Sequence, residues 1–344
     1  MKTLLLTPSD GLGGGIERYV HTLRMALVDS GEQVVSVALT TAAAPSLRWA
    51  DKARFAARSV RAAARARPEV VMAMHPGLLP VLLVVRLVSP RARFVLFFYG
   101  TDIWGGIAAW ERWVLKRWRR LGLATISNYS AGAVSMLGRD PDVLMPALDR
   151  VWQAQLMQAS RPHAERDLDL LSVFRLADWE TKGVPDFLEV VERRSRSRPV
   201  KATIAGKGPV PAQLSAACRG AGVEVLADLT EAELAALYGR TRVFLLATVL
   251  TTGHRASGEG FGIVLLEAQA AGAAVVAPRS GGSNDAYLPE VTGWRQPLRT
   301  DDLVTLLEDL TSCDVSKAAQ AFVARRFSQD RLQTDLAELM HLHE

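Results

Sequence analysis

Short, nearly unbroken apolar runs alternate along this chain with longer stretches in which apolar residues recur every three or four positions. The runs predict strands over Thr3–Leu6, Gln33–Leu39, Val70–Ala73, Arg93–Phe98 and Ala124–Ser127. A second series follows over Leu170–Phe174, Val200–Ile204, Val223–Leu226, Val243–Ala247 and Ala274–Ala277. Helical patterns lie between most of them. A strand that is apolar throughout is covered on both faces, as in parallel sheets flanked by helices. The expected class is therefore α/β, with two Rossmann-like doubly wound domains in tandem facing a central cleft. In such folds ligands bind at the carboxyl ends of the strands.

The alternation pauses over Arg150–Leu168, a polar stretch containing Pro162 that reads as a linker. The expected domains are residues 1–160 and 161–327. Residues 328–344 form a last amphipathic helix, with Ser328 as N-cap and Leu332, Leu336, Leu339 and Leu342 at helical spacing. The Ala/Arg-rich stretch Arg54–Arg67 reads as a helix with a solvated basic face.

The loops after the predicted strands carry the candidate chemistry. Gly11, Gly13, Gly14 and Gly15 precede a helix starting near Ile16, where backbone can approach an anion at a helix start. A dinucleotide fingerprint would need glycine in place of Ile16 and an acid in place of Thr40 or Thr41, so the nicotinamide reading fails. Arg175 ends a buried strand, and Lys182-Gly183 follows it. Two cations there suit a diphosphate, although an ordinary pair of surface cations fits the same residues. Gly206-Lys207-Gly208-Pro209 is another strand–turn–helix junction but lacks P-loop spacing.

The most informative stretch runs from Glu259 through Phe261, Gly262, Ile263 and Val264 to Glu267. Its two acids bracket a helix start, with Glu267 expected about two turns into the helix. Backbone N–H groups between them would hold an anion, and each acid could accept sugar or ribose hydroxyls. The plainer reading makes Glu267 an exposed helix residue. Ser280–Asp285 forms a further loop at a strand end, explicable by turn formation alone. In the first half, His75 follows one strand, and Tyr99-Gly100-Thr101-Asp102 follows another. A lone histidine is more often structural, and Asp102 could orient a hydroxyl or cap the next helix.

Charge adds an asymmetry. Residues 1–165 hold 21 Lys and Arg against 12 Asp and Glu, a net of +9, and the remainder holds 20 against 24, a net of −4. A basic half points to an anionic partner or to solvated arginines. Within it, Trp110, Trp113, Val114, Trp118 and Leu121 fall on one predicted helix face among Arg112, Lys116, Arg117, Arg119 and Arg120. An anionic membrane surface would suit that pattern, but a core helix with a basic exterior is favoured. Cys218 and Cys313 are far apart, which argues against a disulfide framework. The apolar run Gly77–Val88 is too short to span a bilayer, which needs roughly 20 residues. The start of the chain runs directly into a strand pattern without a signal-peptide profile. These features place the protein in the cytoplasm, with peripheral contact at the inner membrane face open through its basic half.

Taken in order, these motifs resemble the retaining glycosyltransferases of family 4, which have the GT-B fold. The resemblance covers most of the chain: the Gly13–Gly15 loop with Glu17, Arg175, Lys182-Gly183, Gly206-x-Gly208-Pro209, Glu259-x-Phe261-Gly262 closing on Glu267, and Gly281-Gly282. The paired glutamates are its most specific element. The resemblance implies transfer of a sugar from a nucleoside-diphosphate sugar to an acceptor hydroxyl, with no bound metal or other cofactor. Arg175, Lys182 and Glu259 would be catalytic, the first two on the diphosphate and the third on the transferred sugar. Gly14, Gly15, Gly206, Phe261, Gly262, Ile263, Val264 and Glu267 would bind the donor, Glu267 through its ribose. His75, Tyr99 and Asp102 would lie on the acceptor side, and the last helix would pack back on the N-terminal domain. Two departures are visible: Tyr99 stands where many members carry histidine, and Asp285 where relatives often carry glutamate. The acceptor expected is a glycan, a lipid-linked molecule or a small molecule. Asp167-Leu-Asp169 beside the linker is read as incidental. Other readings stay open: a sugar-nucleotide epimerase of related fold, or a non-catalytic nucleotide-sugar-binding protein. A nucleic-acid partner is suggested only by a pI of about 9.4, and no reading motif accompanies it.

Overall fold

The computed structural model describes residues 1–11, 14–41, 49–251 and 256–341. The expected Gly13 and Leu342 lie outside the described residues. The chain divides into two compact units. The first begins with β1 (Lys2–Asp10), α1 (Gly15–Asp29), β2 (Gln33–Thr41), α2 (Trp49–Ala66) and β3 (Val70–Ala73). It continues with α3 (Leu79–Val88), β4 (Arg93–Phe98), α4 (Thr101–Trp104), α5 (Ala109–Arg117), β5 (Leu121–Thr125), α6 (Asn128–Ser135) and β6 (Asp142–Val143). The second unit opens with α7 (Arg150–Ala159), β7 (Leu168–Arg175), α8 (Val184–Ser195), β8 (Ala202–Lys207), α9 (Ala212–Gly220) and β9 (Glu224–Ala227). There follow α10 (Glu231–Arg240), β10 (Thr241–Leu245), α11 (Ile263–Ala270), β11 (Ala274–Ala277), β12 (Gly293–Arg295), α12 (Thr300–Ser312) and α13 (Ser316–Arg326). The last helix, α14 (Gln329–His341), belongs to the first unit.

Each unit is built on one parallel six-stranded sheet, in the order β2-β1-β3-β4-β5-β6 in the first and β12-β11-β10-β7-β8-β9 in the second. The central strands are those with unbroken apolar sequence. Val70–Ala73 and Ala274–Ala277 are buried at every position, because helices cover both faces of a parallel sheet. In each order the chain winds first to one side and then to the other. The reversal falls between β1 and β3 in the first unit and between β7 and β10 in the second. At such a switch point the loops leaving the carboxyl ends diverge and open a crevice.

Three sequence expectations need correction. Arg150–Leu168 is not an irregular linker, since α7 occupies its first part and buries Trp152 and Leu156. The N-cap Asp149 accepts the Trp152 N–H at 2.9 Å, and the division between units falls at Ala147/Leu148 rather than at residue 160. The predicted helix through Trp110–Leu121 stops at Arg117, and Leu121 opens β5. Val114, Leu115 and Trp118 turn inward, whereas Trp110 is 47% and Trp113 66% exposed. At about 100° per residue, Trp113 stands about 160° from Leu115, on the side away from the sheet, while Trp110 stands about 40° from Val114, at the edge of the buried face. Strands β6 and β12, of two and three residues, were too short to register as apolar runs.

Around α14, Leu332, Leu336 and Leu339 are buried. Its start is tied down by Gln329, whose amide donates to Asp29 at 2.7 Å. Helix α2 buries Phe55, Ser59 and Ala63, leaving its arginines outside. At the amino end of the second sheet, Arg240 clasps Asp167 through two bonds of 2.8 and 2.7 Å. Asp169 accepts from Arg242 at 3.0 Å and from the Lys201 N–H at 3.1 Å. The two aspartates read as incidental thus bind their own sheet edge.

Candidate functional site

At the carboxyl edge of the second sheet, Arg175 is the last residue of β7 and stands in register with Lys207, the last of β8. The Arg175 side chain is 59% exposed and meets Asp178 only at 3.9 Å. Lys182 follows at the end of the loop, next to Gly183. Gly183 adopts a left-handed conformation with φ 72°, and a Cβ there would stand 2.0 Å from the Ala247 carbonyl oxygen. Only glycine lets this loop rest on the segment leaving β10. The Val249 N–H then donates to the Thr181 carbonyl at 2.9 Å.

That seating brings Lys182 to Glu259. Lys182 Nζ donates to Glu259 Oε2 at 2.8 Å, and the Thr248 hydroxyl donates to the same oxygen at 3.3 Å. Both side chains are mostly buried. The backbone of Glu259 is fixed as well, because its carbonyl accepts the Gly282 N–H at 2.8 Å. The loops after β7, β10 and β11 are thereby joined around one residue, Glu259. The sequence assigned Lys182 and Glu259 to different parts of a ligand, and the fold brings them into one ion pair.

Gly262 supplies the next piece. It caps α11 in a left-handed conformation, φ 89°, and no side chain caps the helix. Ile263 and Val264 occupy the first two helical positions and are half-buried. A helix start without a side-chain cap presents N–H donors and the positive end of the helix dipole. The Phe261 ring is buried, with the Phe327 ring 5.6 Å away, so the turn is anchored from below. Gly206 lies near the end of β8, and a Cβ there would come within 1.9 Å of the Phe174 carbonyl oxygen. Its demonstrable role is to let β8 and β7 approach. Gly208 donates its N–H to Asp228 at 2.9 Å, and Thr230 caps α10 in a reciprocal arrangement with Glu233.

Glu267 sits only one turn into α11, because the helix begins at Ile263. It is 1% exposed, which corrects both the two-turn placement and the exposed-helix reading. The indole N–H of Trp152 donates to one carboxylate oxygen at 3.1 Å, and the Tyr238 hydroxyl donates to the other at 2.8 Å. Helix α11 is apolar around most of its circumference, so a carboxylate on it is buried of necessity and needs such donors. Neither partner was singled out from the sequence. Trp152 lay inside the supposed linker, where Asp149 three residues ahead of it was an available N-cap signal.

In the first unit, Gly14 caps α1 with φ 136° and Gly15 is its first residue, with open space where a Cβ would be. Across the switch point, His75 follows β3. Its Nδ1 accepts the Gly77 N–H at 3.0 Å, which leaves the proton of the neutral ring on Nε2. Asp102 spends its oxygens on the Tyr99 N–H, at 3.1 and 3.0 Å, and on the Gly100 N–H at 2.6 Å. It thus acts as the local cap of its loop. Burial raises its pKa, against the lowering effect of those N–H groups and of nearby His75. Tyr99 is 8% exposed, its ring lies 6.1 Å from that of Tyr19, and its hydroxyl has no partner among the described residues. Burial, then Tyr19 and Asp102, push the Tyr99 hydroxyl pKa well up. The Tyr19 hydroxyl donates to the Leu144 carbonyl at 3.0 Å.

Among the described residues, no group of three or more His, Cys, Asp and Glu side chains is gathered as for a metal ion, and no helix is long and apolar enough to cross a membrane.

Comparison with known proteins places this architecture. Residues 167–312 match the family model described as glycosyl transferases group 1. No curated protein sequence matches the chain. Among solved structures, Anabaena HepE in complex with UDP is 17% identical, covering 99% of this chain and 100% of that one, with a TM-score of 0.72. A glycosyltransferase from Rickettsia africae is 13% identical over 99% of this chain and 98% of that one, with a TM-score of 0.76. Sucrose-phosphate synthase from Thermosynechococcus elongatus is 14% identical over 99% of each, with a TM-score of 0.74. At these identities the likeness is one of fold: the chain has the GT-B fold, and most of its second unit matches the group 1 glycosyl transferase model.

Proposed function

We propose that this protein is a retaining glycosyltransferase that moves a hexosyl group from a nucleoside-diphosphate sugar to an acceptor hydroxyl, in the manner of family 4. The observation that carries the reading is the ion pair of Lys182 and Glu259 beside the uncapped start of α11, at the switch point of the second sheet. A cation, a carboxylate and free N–H donors lie there on joined loops. The cation and the N–H groups suit a diphosphate, and the carboxylate suits the hydroxyls of the sugar it carries.

In this reading the bond between the anomeric carbon and the diphosphate oxygen breaks, and negative charge grows on the leaving group. Arg175, Lys182 and the helix start at Gly262, Ile263 and Val264 stabilise that charge. The acceptor oxygen bonds to the same face of the sugar, and its proton passes to the departing phosphate oxygen. Glu259 orients the sugar, and Lys182 exchanges part of its bond with Glu259 for the phosphate. Glu267 takes the ribose hydroxyls, with Trp152 and Tyr238 fixing its carboxylate. Gly206 belongs to the donor edge as the residue that sets strand spacing. Gly14 and Gly15 belong with the donor, near its phosphate and the acceptor, and His75 belongs to the acceptor side. Tyr99 lines that side, and Asp102 shapes its loop. No metal or cofactor enters this reading. HepE was solved with UDP, so uridine nucleotides are the first to try here. The basic first unit favours a lipid-linked or anionic glycan acceptor at the inner face of a membrane, in polysaccharide or glycolipid assembly.

The test is a thermal-shift panel of nucleoside diphosphates and their sugars, since a ligand that binds only the folded state raises Tm. It is paired with an assay for diphosphate release with and without acceptor. One donor class should raise Tm in the wild type and fail to do so in the Lys182→Ala and Arg175→Ala proteins. Unchanged donor affinity in both variants would overturn the donor map. Conversion of donor to its epimer without acceptor would instead identify an epimerase.

A further inference from the structure

We propose that the outer face of α5 is a docking surface for an anionic phospholipid bilayer. The inference goes beyond the catalytic reading and does not depend on it. On α5, Trp110, Trp113 and Arg117 follow the i, i+3, i+7 spacing and form one stripe, with Arg112 and Lys116 beside it. All five are exposed, and Arg119 and Arg120 extend the basic surface just past the helix. The one acid in the segment, Glu111, is already engaged. It is half-buried and accepts the Ala108 N–H at 3.0 Å as part of the helix start.

Two indoles in water among cations are unexpected on a helix whose other face already packs well. Val114, Leu115 and Trp118 make the contact with the sheet and belong to the same apolar cluster as Leu79, Leu82 and Val85 of α3. The exposed tryptophans are therefore surplus to folding. Helix α3 of the same unit carries exposed apolar residues as well. Its Arg86 guanidinium lies 4.5 Å over the Trp118 ring, and beside it Leu87 is 79% exposed while Val84 and Val88 are each 43% exposed.

Charge and shape select the occupant. An indole has an apolar body and a polar N–H and settles at the level of lipid head groups. Neighbouring arginine and lysine draw the surface to anionic lipid within a Debye length. Exposed Leu87 and Val88 would gain nothing from a polyanion without an apolar phase, whereas a bilayer offers both. A bilayer under α5 would also lie close along the chain to the Tyr99–Asp102 loop, where a lipid-linked acceptor would have to present its head group.

Co-sedimentation with vesicles of phosphatidylcholine, with and without phosphatidylglycerol, tests this without any sugar substrate. Wild-type protein should bind only the vesicles containing phosphatidylglycerol, and added salt should release it. Lys116→Ala and Arg117→Ala should each weaken binding about fivefold. The Trp110→Ala/Trp113→Ala double variant should weaken it about tenfold or more. Arg326→Glu on the second unit should leave it unchanged. Both tryptophans are exposed, so the double variant should melt at the wild-type temperature. Equal binding to neutral vesicles, full binding by the tryptophan double variant, or loss of binding in Arg326→Glu would overturn the proposal. So would a concentration-dependent dimer abolished by Trp113→Ala, which would make α5 an interface between copies of this chain.

Discussion

Each sheet has its own switch point, yet the two units use the polar groups beside it in opposite ways. In the second unit the carboxyl-edge groups reach across loops: Lys182 to Glu259, Glu259 to Gly282, Trp152 and Tyr238 to Glu267. In the first unit they turn inward on their own loop. Asp102 serves the Tyr99 and Gly100 N–H groups, and His75 serves Gly77. One edge shares its charged groups between loops, and the other spends them on the loop that carries them. The contrast fits a division in which the second unit grips a charged donor and the first recognises a neutral hydroxyl.

The largest expected effect comes from cutting the link between loops. Lys182→Ala should lower kcat about 10²- to 10³-fold, as loss of one preorganised donor to a leaving group does. His75→Ala should mainly raise KM for the acceptor and leave nucleotide thermal shifts intact. Equal losses in both would erase the proposed division. Next in size, Glu267→Ala should abolish the donor-induced shift and lower Tm by about 5–10 °C, since two buried donors lose a charged acceptor. A preserved shift would remove Glu267 from the donor site.

Two tyrosines then sharpen the comparison. Tyr238→Phe strips a 2.8 Å bond to a buried carboxylate and should cost about 1.5–3 kcal/mol in denaturant unfolding. Tyr99→Phe removes a buried hydroxyl without a partner among the described residues and should be neutral or slightly stabilising. A large loss at Tyr99 would mean that its hydroxyl is bonded in solution.

The smallest effect is titratable. The Arg240 clasp holds the Asp167 pKa at about 2, below the unfolded value of about 3.9. Because the folded pKa is depressed, the contribution is present above about pH 4 and is lost as pH falls toward 2. The pair is about two-fifths exposed, so its worth is small. The Tm gap between wild type and Asp167→Asn should be modest near neutrality and close over that window. A gap unchanged at pH 2 would separate Asp167 from acid stability.

The sheets were legible because burial on both faces leaves an apolar imprint: β3, β4 and β11 match their runs residue for residue. Very short edge strands left none, as with the two-residue β6 and three-residue β12. Helix α7 was hidden by polar residues on its outer side, and with it went the partner of Glu267. For the site, loop glycines and strand-end cations could be read from position, because topology sends those loops to one edge. That Lys182 meets Glu259 could not. The pair is 77 residues apart in sequence, and it is joined through the packing of Gly183 on Ala247 and the bond from Val249 to Thr181. The orientation of Trp110 and Trp113 was misread for a related reason. Tryptophan stands both on the exposed stripe of α5 and at the inward Trp118 just past its end, so composition alone does not reveal which face the sheet takes.

Gly183 on the Ala247 carbonyl and Gly206 on the Phe174 carbonyl set main chain against main chain. Spacing fixed in that way does not depend on the side chains around it. Selection can therefore exchange the loop residues that would meet a ligand while the scaffold beneath them keeps its dimensions. A library that varies the loop positions but spares these two glycines should yield new substrate preferences far more often than misfolded protein.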